Sequence, residues 1–147
     1  MFSSIVVGTD GSETAQEAVR QAAHLAKQLD ATVYIVSAYE PVSEGELREE
    51  LQQVPEDLEW MVNARGDVEV ALKEGANSLR HDGLKVETIA RQGDPADAIL
   101  DVAEEKGADL IVVGNKGMTG TKRFLLGSVP NKVSHHAPCG VLIIRTT

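Results

Sequence analysis

Five short apolar runs divide this chain, and the stretches between them carry apolar residues at helical spacing. The runs are Ile5–Gly8, Thr32–Tyr39, Lys85–Ala90, Leu110–Val113 and Val141–Ile144. Short runs rich in β-branched residues, unbroken by polar alternation at Ile5–Gly8, Leu110–Val113 and Val141–Ile144, are what strands look like when both sheet faces are covered. After the first run, Ser12 can cap a helix that carries Ala15, Ala18, Val19, Ala22, Leu25, Ala26 and Leu29 on one face. A second helix is expected near Asp67–Asp82, with Val68, Leu72, Gly75, Ala76 and Leu79 as its stripe. Asp94-Pro95 supplies a cap and a first-turn proline for a third, which buries Ala96, Ile99, Leu100 and Ala103 and ends near Gly107. Ser128–Ala137 forms a short fourth. Alternating strands and helices require a parallel sheet, and right-handed crossovers restrict its topology. The expected architecture is α/β, one doubly wound, Rossmann-like domain over residues 1–147, with strand order 3-2-1-4-5 and helices on both faces.

In such sheets, ligands bind beyond the carboxyl ends of the strands where strand order reverses. Strands one and four both end in glycine-containing turns, Gly8-Thr9-Asp10-Gly11-Ser12 and Gly114 to Ser128. The second turn, GNKGMTGTKRFLLGS, holds three cations, Lys116, Lys122 and Arg123, and leads into a helix start. Glycines allow backbone N–H groups to face an anion, and a helix N-terminus adds unpaired N–H groups and a positive dipole end. Ser128 reads both as the N-cap of that helix and as a phosphate donor. The spacing is neither a Walker A motif nor a dinucleotide fingerprint. Asp10, directly after an apolar strand, can accept from sugar hydroxyls or hold a metal's water shell; as a bland alternative it is a turn residue before a helix.

The charge map points the same way. Residues 1–109 hold nine bases against all 23 acids, a balance of −14; residues 110–147 hold five bases and no acid. An anion site set in an acidic body selects a small anion, since a polyphosphate backbone would be repelled, so nucleic acid is not an expected partner. Residues 40–60, with eight acids, one base, Gly45 and two prolines, read as a solvated loop with some helical character, and Trp60 as packing. The single cysteine, Cys139, excludes an internal disulfide and reads as a small buried hydrophobe. His135 and His136 are adjacent, which is the wrong spacing for a metal site on a helix, and His24 and His81 have no evident partner. No metal centre is expected. Met1–Val7 reads as a strand rather than a signal peptide, and no segment approaches the roughly 20 apolar residues of a membrane span. A soluble, cytoplasmic protein without a membrane partner is expected.

The chain resembles the universal stress protein family over essentially its whole length. The residues that carry the resemblance are the Gly-x2-Gly-x9-Gly-Ser/Thr motif at Gly114, Gly117, Gly127 and Ser128, the Val-Gly-Thr-Asp-Gly-Ser opening, and the ADLIVVG, LLGSV and APCGVLII segments. The resemblance implies an adenine nucleotide, ATP first with AMP or cyclic AMP as alternatives, with or without Mg²⁺. By position, Gly114, Gly117, Gly127 and Ser128 would contact ribose and phosphates, with Val113 and Lys116 beside them. Val129 and Pro130 would extend the cradle, although Pro130 stands where the family commonly has a small hydroxyl residue and removes one N–H donor. Asp10 would lie near the ribose, Gly8 and Thr9 would line the pocket, and Ala38 would offer its backbone to the adenine edge. The resemblance also implies a homodimer through strand five, Val141, Leu142, Ile143 and Ile144, a run that reads independently as an apolar sheet edge.

The leading functional expectation is a nucleotide-binding regulatory protein in a stress response or signalling switch. A slow Mg²⁺-dependent ATPase would need a positioned water and a general base, for which Asp10 is the one pocket carboxylate available, and no catalytic residue is assigned. A phospho-receiver would need an acidic pair after strand one, where this chain has a single Asp10 followed by Gly11. The remaining alternative is an interaction module for a protein partner that keeps the loop as architecture.

Overall fold

The computed structural model describes residues 2–39, 64–115 and 126–146. Along the chain lie β1 (Ser4–Gly8), α1 (Glu13–Leu29), β2 (Thr32–Tyr39), α2 (Ala64–His81), β3 (Lys85–Gln92), α3 (Pro95–Glu105), β4 (Leu110–Gly114), α4 (Ser128–His136) and β5 (Gly140–Ile144). The five strands form one sheet in the order β3-β2-β1-β4-β5, every neighbouring pair parallel. The expected five-stranded parallel α/β sheet with strand order 3-2-1-4-5 is therefore the observed one. The acidic segment 40–60 with Trp60, and the loop residues Lys116, Gly117, Lys122 and Arg123, lie outside the described residues.

The period-two rule divides the core in two. Ile5 and Val7 of β1, with Val33 and Ile35 of β2 and Leu110 and Val112 of β4, face α1 and α2. Val6, Val36, Ile111 and Val113 face α3 and α4. Ile5, Val6 and Val7 are all fully buried, which is why β1 reads as an unbroken apolar run. Each such side chain contributes roughly 1.5–3 kcal/mol relative to exposure. On α1 the buried positions Ala18, Ala22 and Ala26 recur every four residues, and their small size lets the helix axis come close to the sheet.

Local chemistry sets most helix ends. Ser12 Oγ accepts from the Ala15 N–H at 3.2 Å, capping α1, and Asp94 accepts from the Asp97 N–H at 3.1 Å, capping α3 ahead of Pro95. Helix α2 begins at Ala64, three residues before the sequence-based bound, and β3 extends to Gln92 because its ladder with β2 continues to the Tyr39–Gln92 pair. His24, expected to be unpartnered, lies 3.1 Å from the Gln28 side-chain amide one turn along α1.

At the amino end of the sheet, the Asp109 carboxylate accepts from Ser3 N–H (2.8 Å), the Ser3 hydroxyl (3.1 Å) and Ser4 N–H (3.1 Å). Desolvation pushes its pKa up, but the Ser3 and Ser4 donors outweigh that and hold it below the ordinary aspartate value. This pin sets β1 in register beside β4 and leaves the opposite, carboxyl ends of those strands as the place where the chain diverges to the two faces.

Candidate functional site

Strand β1 lies between β2 and β4, and the connections that leave β1 and β4 go to opposite faces of the sheet. The crevice of a doubly wound sheet forms at such a switch point. After β1, Thr9 N–H donates to the Val36 carbonyl at 2.9 Å, so the turn is held over the end of β2. Thr9 Oγ1 accepts from Gly11 N–H at 3.1 Å, and Asp10 Oδ1 accepts from Ser12 N–H at 2.8 Å. Asp10 is thus a turn former, as its bland reading held. It is also exposed, and its Oδ2 makes no hydrogen bond among the described residues.

On the far side of the switch point, Asn115 follows β4. Its carbonyl accepts from Gly127 N–H at 2.9 Å, so the two ends of the connection to α4 are closed onto each other. Gly127, and not Ser128, occupies the cap position of α4: it has extended backbone (φ −61, ψ 163), and Ser128 is the first helical residue. The sequence reading of Ser128 as N-cap is corrected accordingly. The shift follows from Gly127 being held in place by Asn115, which lets helical geometry begin at Ser128, one residue earlier than a Ser128 cap would allow. It changes the donor inventory. Gly127 N–H is already engaged, and Asn131 N–H donates back to the Gly127 carbonyl. The N–H groups of Ser128 and Val129 have no intrahelical acceptor, and Pro130 has none to give.

The helix N-termini differ in how they are served. Glu13 lies in the first turn of α1 and Asp97 in that of α3, and each of these helices has a side-chain cap. The first turn of α4 contains no acid and no side-chain cap. Its positive dipole end therefore meets no anionic group of its own first turn.

The expected site residues that are described reach the carboxyl end of the sheet, but they contribute in different ways; Lys116 and Gly117 lie outside the described residues. Ser128 and Asp10 are exposed. Val113 is 3% exposed and Pro130 is fully buried, and Ala38 and Val129 pack against the α3/α4 cluster, so these four can offer only backbone. Gly8 is needed for packing: a Cβ there would lie 2.4 Å from Ile99 Cδ1 and 3.0 Å from Cγ1.

A cleft of about 670 Å³ opens beside Thr9, Asp10 and Gly11 and runs between α1 and α2 over the β2 residues Ile35 and Ser37. Its α1 wall presents Gln16, Val19 and Arg20, and its α2 wall Val68, Leu72 and Leu79. The volume falls in the range of small-molecule sites. Gln16, Arg20 and Ser37 were not expected from sequence. Ser37 carried the one available signal, a small hydroxyl within a buried strand; it is 6% exposed.

The basic tail is less available than its composition implies. Lys132 Nζ lies 2.9 Å from Asp97 Oδ1 and 3.4 Å from Asp94 Oδ2. These bonds, Asp97 first, raise the lysine pKa, and Asp94 is held below its ordinary value by the Asp97 N–H and then by Lys132. Lys132 thus locks α4 to the start of α3. Cys139 is half-buried; burial, then the Asp109 charge, pushes its thiol pKa up, which keeps it protonated. His135 and His136 are exposed at the end of α4. No helix among the described residues is long and apolar enough to cross a membrane.

Comparison with known proteins places this geometry. The Universal stress protein family profile matches residues 1–145. Universal stress protein YxiE of Bacillus subtilis is 38% identical over 153 residues, covering 99% of this chain and 100% of YxiE. A solved universal stress protein in complex with cAMP is 33% identical, superposes with a TM-score of 0.73 and covers 99% of each chain. The universal stress protein from Archaeoglobus fulgidus in complex with dAMP is 26% identical, with a TM-score of 0.65 and 98% of each chain covered. With its five-stranded 3-2-1-4-5 sheet and a match from end to end, this chain belongs to the universal stress protein family.

Proposed function

We propose that this protein binds an adenine nucleotide across the carboxyl ends of β1, β2 and β4 and acts as a regulatory binding protein in a cytoplasmic stress response, without turnover. The observation that carries the reading is the N-terminus of α4, which lacks the acid and the side-chain cap that serve α1 and α3 and stands beside the switch point. A phosphate at that place accepts from Ser128 N–H, Val129 N–H and the Ser128 hydroxyl. Gly114 lets the ligand approach β4, Asp10 Oδ2 accepts from the ribose, and Gly8, Thr9, Ala38 and Val113 supply backbone around the base and sugar. Gly117 and Lys116 complete the motif. Two solved relatives with cAMP and dAMP support a nucleoside monophosphate. So does the donor count at α4, which suits one phosphate better than three. Among ATP, AMP and cyclic AMP, the monophosphates are therefore the tighter ligands, and Mg²⁺ is not required.

Calorimetric titration of nucleotide-stripped protein with ATP, ADP, AMP and cyclic AMP, with and without Mg²⁺, tests this. Saturable binding of AMP or cyclic AMP at or below about 10 μM, near −7 kcal/mol, is the expected result. No heat with any of the four overturns the reading and leaves the loop as architecture. ATP hydrolysis that needs Mg²⁺ and is lost in Asp10→Asn would instead establish the ATPase.

A homodimer through β5 belongs to the same proposal. The β3 edge of the sheet presents Lys85, Glu87 and Arg91, charges that discourage pairing with another chain. The β5 edge has no charge, and its Leu142 and Ile143 are 39% and 38% exposed. Val141 packs partly against the α3/α4 cluster, so a substitution there would disturb the core as well. Ile143→Lys isolates the edge. In sedimentation equilibrium, wild type is expected near twice its 15.7 kDa chain mass and Ile143→Lys near one chain mass. A wild type at one chain mass removes the dimer.

A further inference from the structure

Four hydrogen bonds converge on the residue that follows β4. Asn115 N–H donates to the Ile144 carbonyl at 2.8 Å, and the Asn115 carbonyl accepts from Gly127 N–H at 2.9 Å. Its side-chain Oδ1 accepts twice from Thr146, from the N–H at 2.9 Å and from the hydroxyl at 3.0 Å. The first two bonds use backbone and would be made by most residues. The second two require a carbonyl or carboxylate oxygen on a carbon one methylene from the backbone, which only Asn and Asp provide. Asp would place a negative charge between Gly114 and the N-terminus of α4, where an anion is to bind; Asn accepts the same two bonds without charge.

The β4–β5 ladder ends at the Gly114–Ile144 pair, so neither strand holds Thr146 in place. Asn115 does. The same residue fixes Gly127, and hence the start of α4, at a set distance from the end of β4. The two halves of the phosphate cradle and the chain segment that follows β5 are therefore referred to one residue, the cradle through its backbone and Thr146 through its side chain.

We infer that Asn115 is a positioning residue through which occupancy of the nucleotide site is transmitted to Thr146 and the adjoining end of β5. The inference rests on the nucleotide reading above. A ligand bridging Gly114 and Ser128 restrains Asn115 from both sides. That restraint lowers the frequency with which the two Oδ1 bonds to Thr146 open, and by linkage whatever orders the end of β5 tightens the ligand.

The test is amide hydrogen exchange at Thr146, followed by NMR on the full chain with and without saturating AMP and, in parallel, cyclic AMP. AMP affinity is measured by calorimetry on the same samples. In wild type the nucleotide is expected to slow Thr146 exchange about fivefold or more. In Asn115→Ala, Thr146 exchanges about tenfold faster without ligand, in line with the loss of two ordinary hydrogen bonds, and adding nucleotide no longer changes it although binding is retained. Thr146→Val, which loses only the hydroxyl donor, should fall between the two and carries the test if Asn115→Ala fails to fold. A wild type that binds nucleotide while Thr146 exchange stays unchanged overturns the inference. So does an Asn115→Ala protein whose Thr146 responds as wild type does. A wild type that binds neither nucleotide is a failure of the nucleotide reading itself, visible in the calorimetry, and the inference falls with it.

Discussion

Ser128→Glu should lose nucleotide affinity by about a hundredfold or more while melting at the same temperature as wild type or slightly above it. The two effects have opposite signs because one residue meets two demands. As the first helical residue of α4, it lies in a turn that carries no acid. A carboxylate there complements the helix dipole and adds roughly 0.3–1 kcal/mol of stability. The same carboxylate occupies the position assigned to the phosphate, removes a hydroxyl donor and repels the ligand; about 2.7 kcal/mol of lost binding is a hundredfold in Kd. Calorimetry and thermal melts on the same preparation separate the outcomes. Unchanged affinity would move the phosphate away from α4. A loss of affinity together with a loss of stability would mean that Ser128 is a packing residue.

Gly8→Ala should destabilise the fold by about 1–3 kcal/mol, the range for overpacking a filled core. The added methyl would lie 2.4 Å from Ile99 Cδ1, and Ile99 is 4% exposed, so the isoleucine has little room to turn away. Ile99→Val removes the offending Cδ1 and by itself costs about 0.5–1.5 kcal/mol. The double variant should be more stable than the sum of the single losses allows, by at least about 0.5 kcal/mol in urea denaturation. Strict additivity would mean that the clash is relieved by backbone movement and that Gly8 is not a packing glycine. The prediction matters for the site because β1 ends at Gly8 and the candidate ribose contact begins two residues later. Reduced nucleotide affinity in Gly8→Ala that is restored in the double variant would show that α3 packing sets the position of Asp10.

The fold was legible where a local rule and a burial pattern agreed. Ser12 and Asp94-Pro95 announce α1 and α3, and the side chains cap as the residue types require. Strands β1 and β4 are legible because covering both faces leaves no place for polar alternation. Helix α2 begins three residues before the expected bound because its apolar stripe, which starts at Val68, leaves the first turn unmarked, although Asn63, a cap-type residue, directly precedes Ala64 in the sequence. The cap of α4 was misassigned for a related reason. A serine next to a glycine is the stronger cap by residue type, but the bond between Gly127 and Asn115 settles the matter across eleven intervening residues.

The candidate site is legible in the sequence as a place in the topology more than as a set of contacts. Glycine turns at the ends of β1 and β4 identified the switch point. Sequence alone could not tell that Val113 and Ala38 turn their side chains to the core, which depends on the face each strand residue takes, or that Pro130 does, which depends on how α4 packs against the sheet. Gln16 and Arg20 border the cleft because of the distance between α1 and α2, a long-range quantity with no local trace. Lys132, counted with the basic tail, neutralises two carboxylates 38 and 35 residues earlier in the chain.

The unequal edges of the sheet have a consequence for assembly. A chain with two sticky edges polymerises, since each added copy exposes a fresh edge and growth has no natural end. Here one border is guarded by Lys85, Glu87 and Arg91, and the other is bare. Two copies that meet about a twofold axis at β5 would consume both bare borders and show the solvent only guarded ones. Self-association of that kind stops at two without a separate device to stop it, and a protein that accumulates to high concentration avoids growing into fibres.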